Sequence, residues 1–260
     1  MRLSEELEHW LQQRHITVWR GVSHEGRIHH AAIERMELLI ALGGDGTVLR
    51  AARLSMDGCA VPVLPVALGR LNFMAELTPE ELYSGLTTLL DGGGWYDQRT
   101  LLEATVYCSH AAPRRFLALN EILVARGEVN RLVNVDVELY DTPLTAYHAD
   151  GVVVATATGS TAYALSAGGP IIDPRSRALV MVPVAAHLTN LPSLVLDEDA
   201  WLRLLVRSRH PASFSADGRE AINMHEGDIV EVRRAEQVVR FARVHSISTF
   251  YTRLSQRLRR

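Results

Sequence analysis

The patterning of this chain changes character at Asp91-Gly92-Gly93-Gly94, and that change points to a two-part fold. Before the break, helical and extended periodicities alternate. Leu7, Trp10, Leu11 and Arg14 follow helical spacing; residues 16–19, 37–42 and 61–68 read as strands, and 47–56 as a helix. Thr78-Pro79-Glu80-Glu81 has the form of a helix start, with threonine as the cap, proline first and glutamate third, leading into Leu82, Leu86 and Leu89. Alternating strand and helix predicts a parallel sheet covered by helices. Beyond the break the chain is strand-rich, with candidates at 101–108, 116–125, 133–140, 144–156, 179–182, 201–206, 228–233 and 238–244. Val133, Val135, Val137 and Leu139 alternate at period two, which predicts a β-sandwich or related all-β domain interrupted by one short helix. The tail returns to helix, with Phe250, Leu254 and Leu258 on one stripe.

Two strand–turn–helix segments carry the chemistry. MELLIALGGDGT, residues 36–47, runs from a buried strand into Gly43, Gly44, Asp45, Gly46 and Thr47. Open α/β sheets bind ligands at this carboxyl edge. Glycines there allow positive φ and close approach of the backbone to phosphate, and Thr47 is placed to cap the helix. A plain turn with a capping aspartate accounts for one glycine, not for three around a carboxylate. The second segment, ADGVVVATATGSTAYALSAG, spans residues 149–168. It reads as a β-branched strand over 152–156, a turn holding Gly159 and Ser160, and a short helix opening near Thr161. Such an opening offers N–H groups and hydroxyls to an anionic ligand. Two phosphate-cradling turns, one carrying a potential base, point to phosphoryl transfer.

Composition removes several alternatives. The chain has no lysine; all 27 basic residues are arginine. A Walker A loop and Schiff-base chemistry are therefore excluded. Any polyphosphate must be neutralised by arginine, backbone N–H groups and a metal ion. The net charge of −3 gives no footprint for nucleic acid, and the C-terminal RLSQRLRR reads as a solvated helix end. Cys59 and Cys108 are too few for a disulfide framework or a zinc site, which predicts a reducing compartment. No stretch reaches the ~18 apolar residues of a membrane span, and the start is unlike a signal peptide, so the expected location is cytoplasmic. His24, His29 and His30 read as surface loop, His148 and His187 as structural histidines, and Asp173 and Asp217 as turn residues. Tyr163 reads equally as a core aromatic or as a flat binding face.

GGDGT, then Asn120-Glu121 at a strand edge, then Asp150-Gly151 through TGSTAY to Ser166, resembles the NAD kinase family from about Glu37 to the C-terminus. Ser166 to Pro174, the His187 region and Asp217-Gly218 share the likeness. GGDGT alone is common to diacylglycerol, sphingosine and phosphofructokinase relatives, whereas Asn-Glu together with TGSTAY is specific. The resemblance implies ATP-dependent phosphorylation of the adenosine-ribose 2′-hydroxyl of NAD to give NADP, a phosphotransferase reaction on an alcohol. It implies ATP or polyphosphate as donor, a divalent ion such as Mg²⁺, and a homodimer or homotetramer. Asp45 would be the catalytic base or orienter, with Gly46 and Arg50 beside it. Gly43, Gly44, Gly46 and Thr47 would cradle ATP phosphates, as would Gly159 and Ser160. Asn120 and Glu121 would bind the dinucleotide, Arg131 would lie near a phosphate, and Asp150 with His148 would meet the nicotinamide end, from a neighbouring subunit. Thr161, Ala162, Tyr163 and Ser166 would line the adenine pocket.

The expected fold is an N-terminal Rossmann-like parallel α/β domain, residues 1–97 with about 248–260, and a C-terminal β-sandwich-like dinucleotide domain, 98–247. The C-terminal helix is expected to return to the first domain. The sequence departs from the family by beginning near the first helix, without the usual opening strand. It also has Ala157 for a proline, Asn72 for a glycine, Leu191 for an arginine and Arg219 for a glutamine. A non-catalytic dinucleotide sensor, or a lipid or small-alcohol kinase of the same superfamily, is the alternative.

Overall fold

Leu7 and Leu11 lie one helical turn apart on α1 (Arg2–Gln12) and are the buried residues of that helix. They pack with residues from β2 (Val63–Val66) and α3 (Leu82–Leu90) in one apolar cluster containing Leu64, Val66, Leu77, Leu82 and Leu86. Between them come β1 (Leu39–Leu42), which pairs parallel to β2, and α2 (Asp45–Leu54), which buries Val48, Ala51 and Ala52. The computed structural model describes residues 2–22, 35–56, 60–69, 73–109, 111–128, 131–187 and 192–258. It divides into two compact units, Met1–Gln98 with Val239–Arg260, and Arg99–Val238.

In the first unit, the last part of β14 (Ile229–Arg243) pairs parallel to β2 through Phe241 and Val63, and α5 (Thr249–Leu258) follows. The parallel sheet and the returning helix are as the sequence predicts. The expected strand at 16–19 is absent: those residues are irregular. The cap before α3 forms in part, with Thr78 N–H donating to Glu81 Oε2 at 2.9 Å, although regular helix starts only at Leu82. A buried ionic cluster lies here too. Arg243 donates to Glu76 Oε2 at 3.1 Å, Asp97 Oδ2 at 3.2 Å and Met74 O at 2.9 Å.

The second unit holds two antiparallel layers. One contains β4 (Arg114–Ala118) on β3 (Trp95–Tyr107), then the first part of β14, β11 (Trp201–Val206), β6 (Val133–Leu139) and β7 (Thr142–Ala149). The other runs β10 (Leu194–Leu196), β9 (Leu179–Val184), β8 (Gly151–Thr156), β5 (Glu121–Arg126), β12 (Ala212–Ala216) and β13 (Arg219–Met224). Their facing side chains, among them Val135, Tyr147, Val152, Val154, Phe214 and Val230, form one core. Val153 and Ala155 point the other way and pack with Ala164 of the four-residue helix α4 (Tyr163–Ser166). β8 is thus covered on both faces, which is why it is a continuous β-branched run.

Two expected strands divide and two others merge. Residues 116–125 split at Leu119-Asn120, because β4 belongs to one layer and β5 to the other. Residues 144–156 split at Asp150 for the same reason, between β7 and β8. The runs 228–233 and 238–244 form the single strand β14. Strands β10, β12 and β13 have no counterpart in the sequence reading. The expectations for His24, His29, His30, Cys59, Asn72 and Leu191 lie outside the described residues.

Candidate active site

In the first unit, the site-bearing turn is set by the carboxyl ends of β1 and β2. Gly43 N–H donates to Val66 O at 2.9 Å, which pins the turn to the neighbouring strand. A β-carbon on Gly43 would stand 2.5 Å from Thr47 Oγ1, so only glycine fits. Gly44 is the N-cap of α2 and Asp45 its first residue. Among the described residues, β-carbons added at Gly44 and Gly46 would meet nothing closer than Arg50 Nη1, 3.8 Å from the latter, so these residues leave the front of the helix end open. The first amides of a helix lack intrahelical acceptors and sit at its positive end, which favours phosphate.

Two expectations for this turn change. Thr47 does not cap: the cap makes no side-chain hydrogen bond, and Thr47 lies inside the helix with its N–H on Gly44 O at 2.9 Å. Its hydroxyl accepts from Arg50 Nη2 at 3.3 Å. The Gly43 and Thr47 amides are therefore committed to the backbone.

In the second unit, the layer switch at Leu119-Asn120 brings the Asn-Glu pair against the turn that follows β8. Thr156 N–H donates to Asn120 O at 2.9 Å and Thr156 Oγ1 to Leu119 O at 2.6 Å. From the other side, Asp217 takes three backbone amides: Leu119 on Oδ2 at 3.0 Å, and Asn120 and Glu121 on Oδ1 at 2.8 and 3.2 Å. Asn120 and Glu121 are each 8 % exposed, and Asn120 Oδ1 and Glu121 Oε2 have no hydrogen-bond partner among the described residues. Burial first, then the Asp217 carboxylate, push the Glu121 carboxyl up to about 7, against a hydrogen bond from the Tyr163 N–H. That N–H opens α4, so the Asn-Glu pair and TGSTAY form one locus.

The remaining expected residues sort unevenly. Tyr163 is 42 % exposed, which makes it a presented ring and not a core aromatic. Thr161 and Ala162 are half-buried in the same turn and Ser166 is exposed. Gly159 and Ser160 do not form an open cradle. Gly159 N–H donates to Thr156 Oγ1 at 3.0 Å, while the fully buried Ser160 hydroxyl donates to Ala157 O at 2.7 Å and accepts from Ile172 N–H at 2.9 Å. The opening is one turn of 3₁₀ helix, Gly159–Thr161, in which the Thr161 hydroxyl, like that of Ser160, is bonded to neighbouring backbone, here Thr158 O at 3.1 Å. Asp150 stands at the other layer switch, with Arg126 Nε 3.1 Å from Oδ1. Exposed His148 contacts Asn134 Oδ1 and bridges backbone to backbone with His187. Arg131 is exposed. Ala157 is buried, and Arg219 is exposed at the start of β13.

Sequence reasoning missed the roles of Asp217, Thr156 and Arg99. Buried Arg99 donates to Thr158 Oγ1 at 3.2 Å and so braces the turn before Gly159. No local signal marks these contacts, since each joins residues more than thirty-five positions apart.

Among the described residues no group of three or more His, Cys, Asp or Glu side chains could hold a metal ion, and no helix is long and apolar enough to cross a membrane.

Comparison with known proteins adds independent findings. The ATP-NAD kinase N-terminal domain family matches residues 1–94 and the ATP-NAD kinase C-terminal domain family residues 119–244. An NAD kinase of Chloroflexus aggregans is 56 % identical over 260 residues, covering 100 % of this chain and 94 % of that one. An NAD kinase of Dehalococcoides mccartyi is 41 % identical over 229 residues, 87 % of this chain and 80 % of that one. The crystal structure of yeast NADH kinase complexed with NADH is similar at a TM-score of 0.83 and 26 % identity, covering 97 % of this chain and 76 % of that one. An NAD kinase from Archaeoglobus fulgidus in complex with ATP shares the fold, with a TM-score of 0.80 at 21 % identity over 97 % of this chain and 94 % of that one.

Proposed function

The chain belongs to the NAD kinase family, and from that premise we propose how its own residues divide the work of the reaction. The enzyme uses ATP to phosphorylate NAD, giving NADP.

Asn120 and Glu121 hold the dinucleotide. The observation that carries this is the pair of buried acceptors, Asn120 Oδ1 and Glu121 Oε2, without partners among the described residues. Buried acceptors are costly unless a donor arrives, and ribose hydroxyls and an adenine amine are donors of the right kind. Thr161, Ala162, Tyr163 and Ser166 complete the adenine side, with the exposed Tyr163 ring as a stacking face. Asp150, with His148, meets the nicotinamide end, and Arg131 supplies charge for a dinucleotide phosphate. Supply of the first two residues by a neighbouring copy accords with a homodimer or homotetramer, which light scattering tests.

Asp45 aligns the 2′-hydroxyl. Asp45 is the first residue of α2, at the helix end that faces the phosphates. In a loose phosphoryl-transfer transition state the hydroxyl proton leaves late, so orientation outweighs basicity. Gly44 and Gly46 amides and Arg50 neutralise the ATP phosphates; lysine is absent from the chain. A divalent ion fits as part of the nucleotide substrate, held by its phosphates and water with at most one or two protein carboxylates. When bound, it would neutralise charge on the transferring group.

The test is NADP formation by the purified protein from NAD, ATP and Mg²⁺, read through an NADP-specific dehydrogenase, with Asn120→Ala and Glu121→Gln alongside. The expected result is turnover by the parent and a raised KM for NAD in both variants. Unchanged KM in both would remove the pair from the dinucleotide site.

A further inference from the structure

We propose that Asp217 is a positioning residue for dinucleotide binding, fixing the backbone of Asn120 and Glu121 so that their buried acceptors address one ligand. This rests on the reading that those two side chains hold NAD.

Leu119 and Asn120 lie between β4 in one layer and β5 in the other, where neither ladder supplies partners for the backbone. Unpaired buried amides would leave this corner loose and destabilised. One carboxylate meets three of them, at 2.8, 3.0 and 3.2 Å, and Asp217 N–H returns a bond to Glu121 O at 2.9 Å. An ordinary turn aspartate bonds the backbone about two residues onward. This one reaches across to residues 96 to 98 positions earlier in the chain. Asp217 (φ 50°) and Gly218 (φ 68°) form the tight turn between β12 and β13 that holds the carboxylate in place.

The clamp is two-sided. Thr156 holds the carbonyls of Leu119 and Asn120 from the β8 side while Asp217 holds the amides. The backbone groups of the corner are thereby satisfied, and the acceptors left over belong to the two side chains. Asp217 is 7 % exposed, so its charge is felt strongly. The groups that act on the Glu121 carboxyl are Asp217 from the β12–β13 turn, which raises its pKa, and the Tyr163 N–H from α4, which lowers it. A neutral residue in place of Asp217 would accept hydrogen bonds without that repulsion. Asp217 therefore fixes the placement of the pair and, after burial, adds to the rise in the pH at which Glu121 becomes a full acceptor.

The test uses full-length Asp217→Asn and Asp217→Glu beside Glu121→Gln and Asn120→Ala. KM for NAD, KM for ATP, kcat and melting temperature are measured from about pH 5.5 to 8.5. In the parent, KM for NAD is expected to fall as pH rises, with a midpoint at about 7. Asp217→Asn is expected to raise KM for NAD about tenfold, to leave KM for ATP within about twofold, and to move the midpoint to lower pH. Asp217→Glu keeps the charge but not the geometry, so its KM for NAD rises while its midpoint stays. If Asp217→Asn does not fold, Asp217→Glu decides by KM for NAD against KM for ATP: a rise in the first alone supports the positioning role, and an equal rise in both overturns it. Asp217 variants with unchanged KM for NAD, beside an impaired Glu121→Gln, overturn the positioning role and leave the dinucleotide reading standing. An equal rise in both KM values with lowered melting temperature and a fixed midpoint in Asp217→Asn also overturns it. Unchanged KM for NAD in both Glu121→Gln and Asn120→Ala removes the dinucleotide reading and this proposal together.

Discussion

Gly159 passes so close to Asn120 that a β-carbon on the glycine would stand 2.0 Å from the Asn120 carbonyl oxygen. The same oxygen accepts the Thr156 N–H, so it cannot move away without breaking the joint between β5 and β8. Gly159→Ala is expected to destabilise the enzyme by about 1–3 kcal/mol and to raise KM for NAD more than KM for ATP. Urea unfolding and steady-state kinetics check both halves; an alanine variant with parental stability would show that the corner can yield.

Ser160 separates a structural hydroxyl from a phosphate ligand. It is fully buried and bonded to both Ala157 and Ile172. Ser160→Ala is expected to cost about 1–3 kcal/mol of stability while leaving KM for ATP unchanged. A large rise in KM for ATP at parental stability would restore the residue to phosphate binding.

Glu121 makes stability depend on pH. Its carboxyl ionises at about 7 in the folded enzyme against 4.5 for an ordinary exposed glutamate, so between those values the folded state holds a proton that the unfolded chain has lost. Stability accordingly declines as pH rises through that window, by about 3 kcal/mol in total, and the loss is complete above 7. Glu121→Gln is expected to flatten this decline, gaining on the parent at pH 8 relative to pH 5 while binding NAD less well. Urea midpoints across that range supply the measurement, and parallel curves would contradict it.

Arg243 is the cation between two buried carboxylates of the first unit. Arg243→Met takes the guanidinium away from both Glu76 and Asp97, an expected loss of about 3–5 kcal/mol. The double variant with Glu76→Gln should recover part of that loss, and a full double-mutant cycle measures how much.

These particulars show what the sequence made legible. GGDGT is local: glycines, a carboxylate and the flanking apolar run all lie within twelve residues, and the turn forms where the pattern places it. The same holds for the buried β-branched strand β8 and the capping contact before α3. What was not legible is where the chain changes layer. Residues 116–125 look continuous because the apolar run does not register that β4 faces one partner and β5 another. The break falls at Asn120, and the second such break falls at Asp150, so two proposed site residues sit where the strand pattern hid the geometry. Asp217 read as a turn residue because its turn is local and its three amide contacts are not. Strand β12, ASFSA, has small polar residues where a strand pattern looks for β-branched ones, and β10 has only three residues.

The most direct measurement compares NADP formation by the parent and by Asp45→Asn, with NAD binding to each followed by calorimetry. Alignment of the 2′-hydroxyl by Asp45 predicts that the parent makes NADP and that the variant binds NAD as tightly while turnover falls by about 10²–10⁴-fold. A variant that turns over near the parental rate with NAD bound would contradict that role.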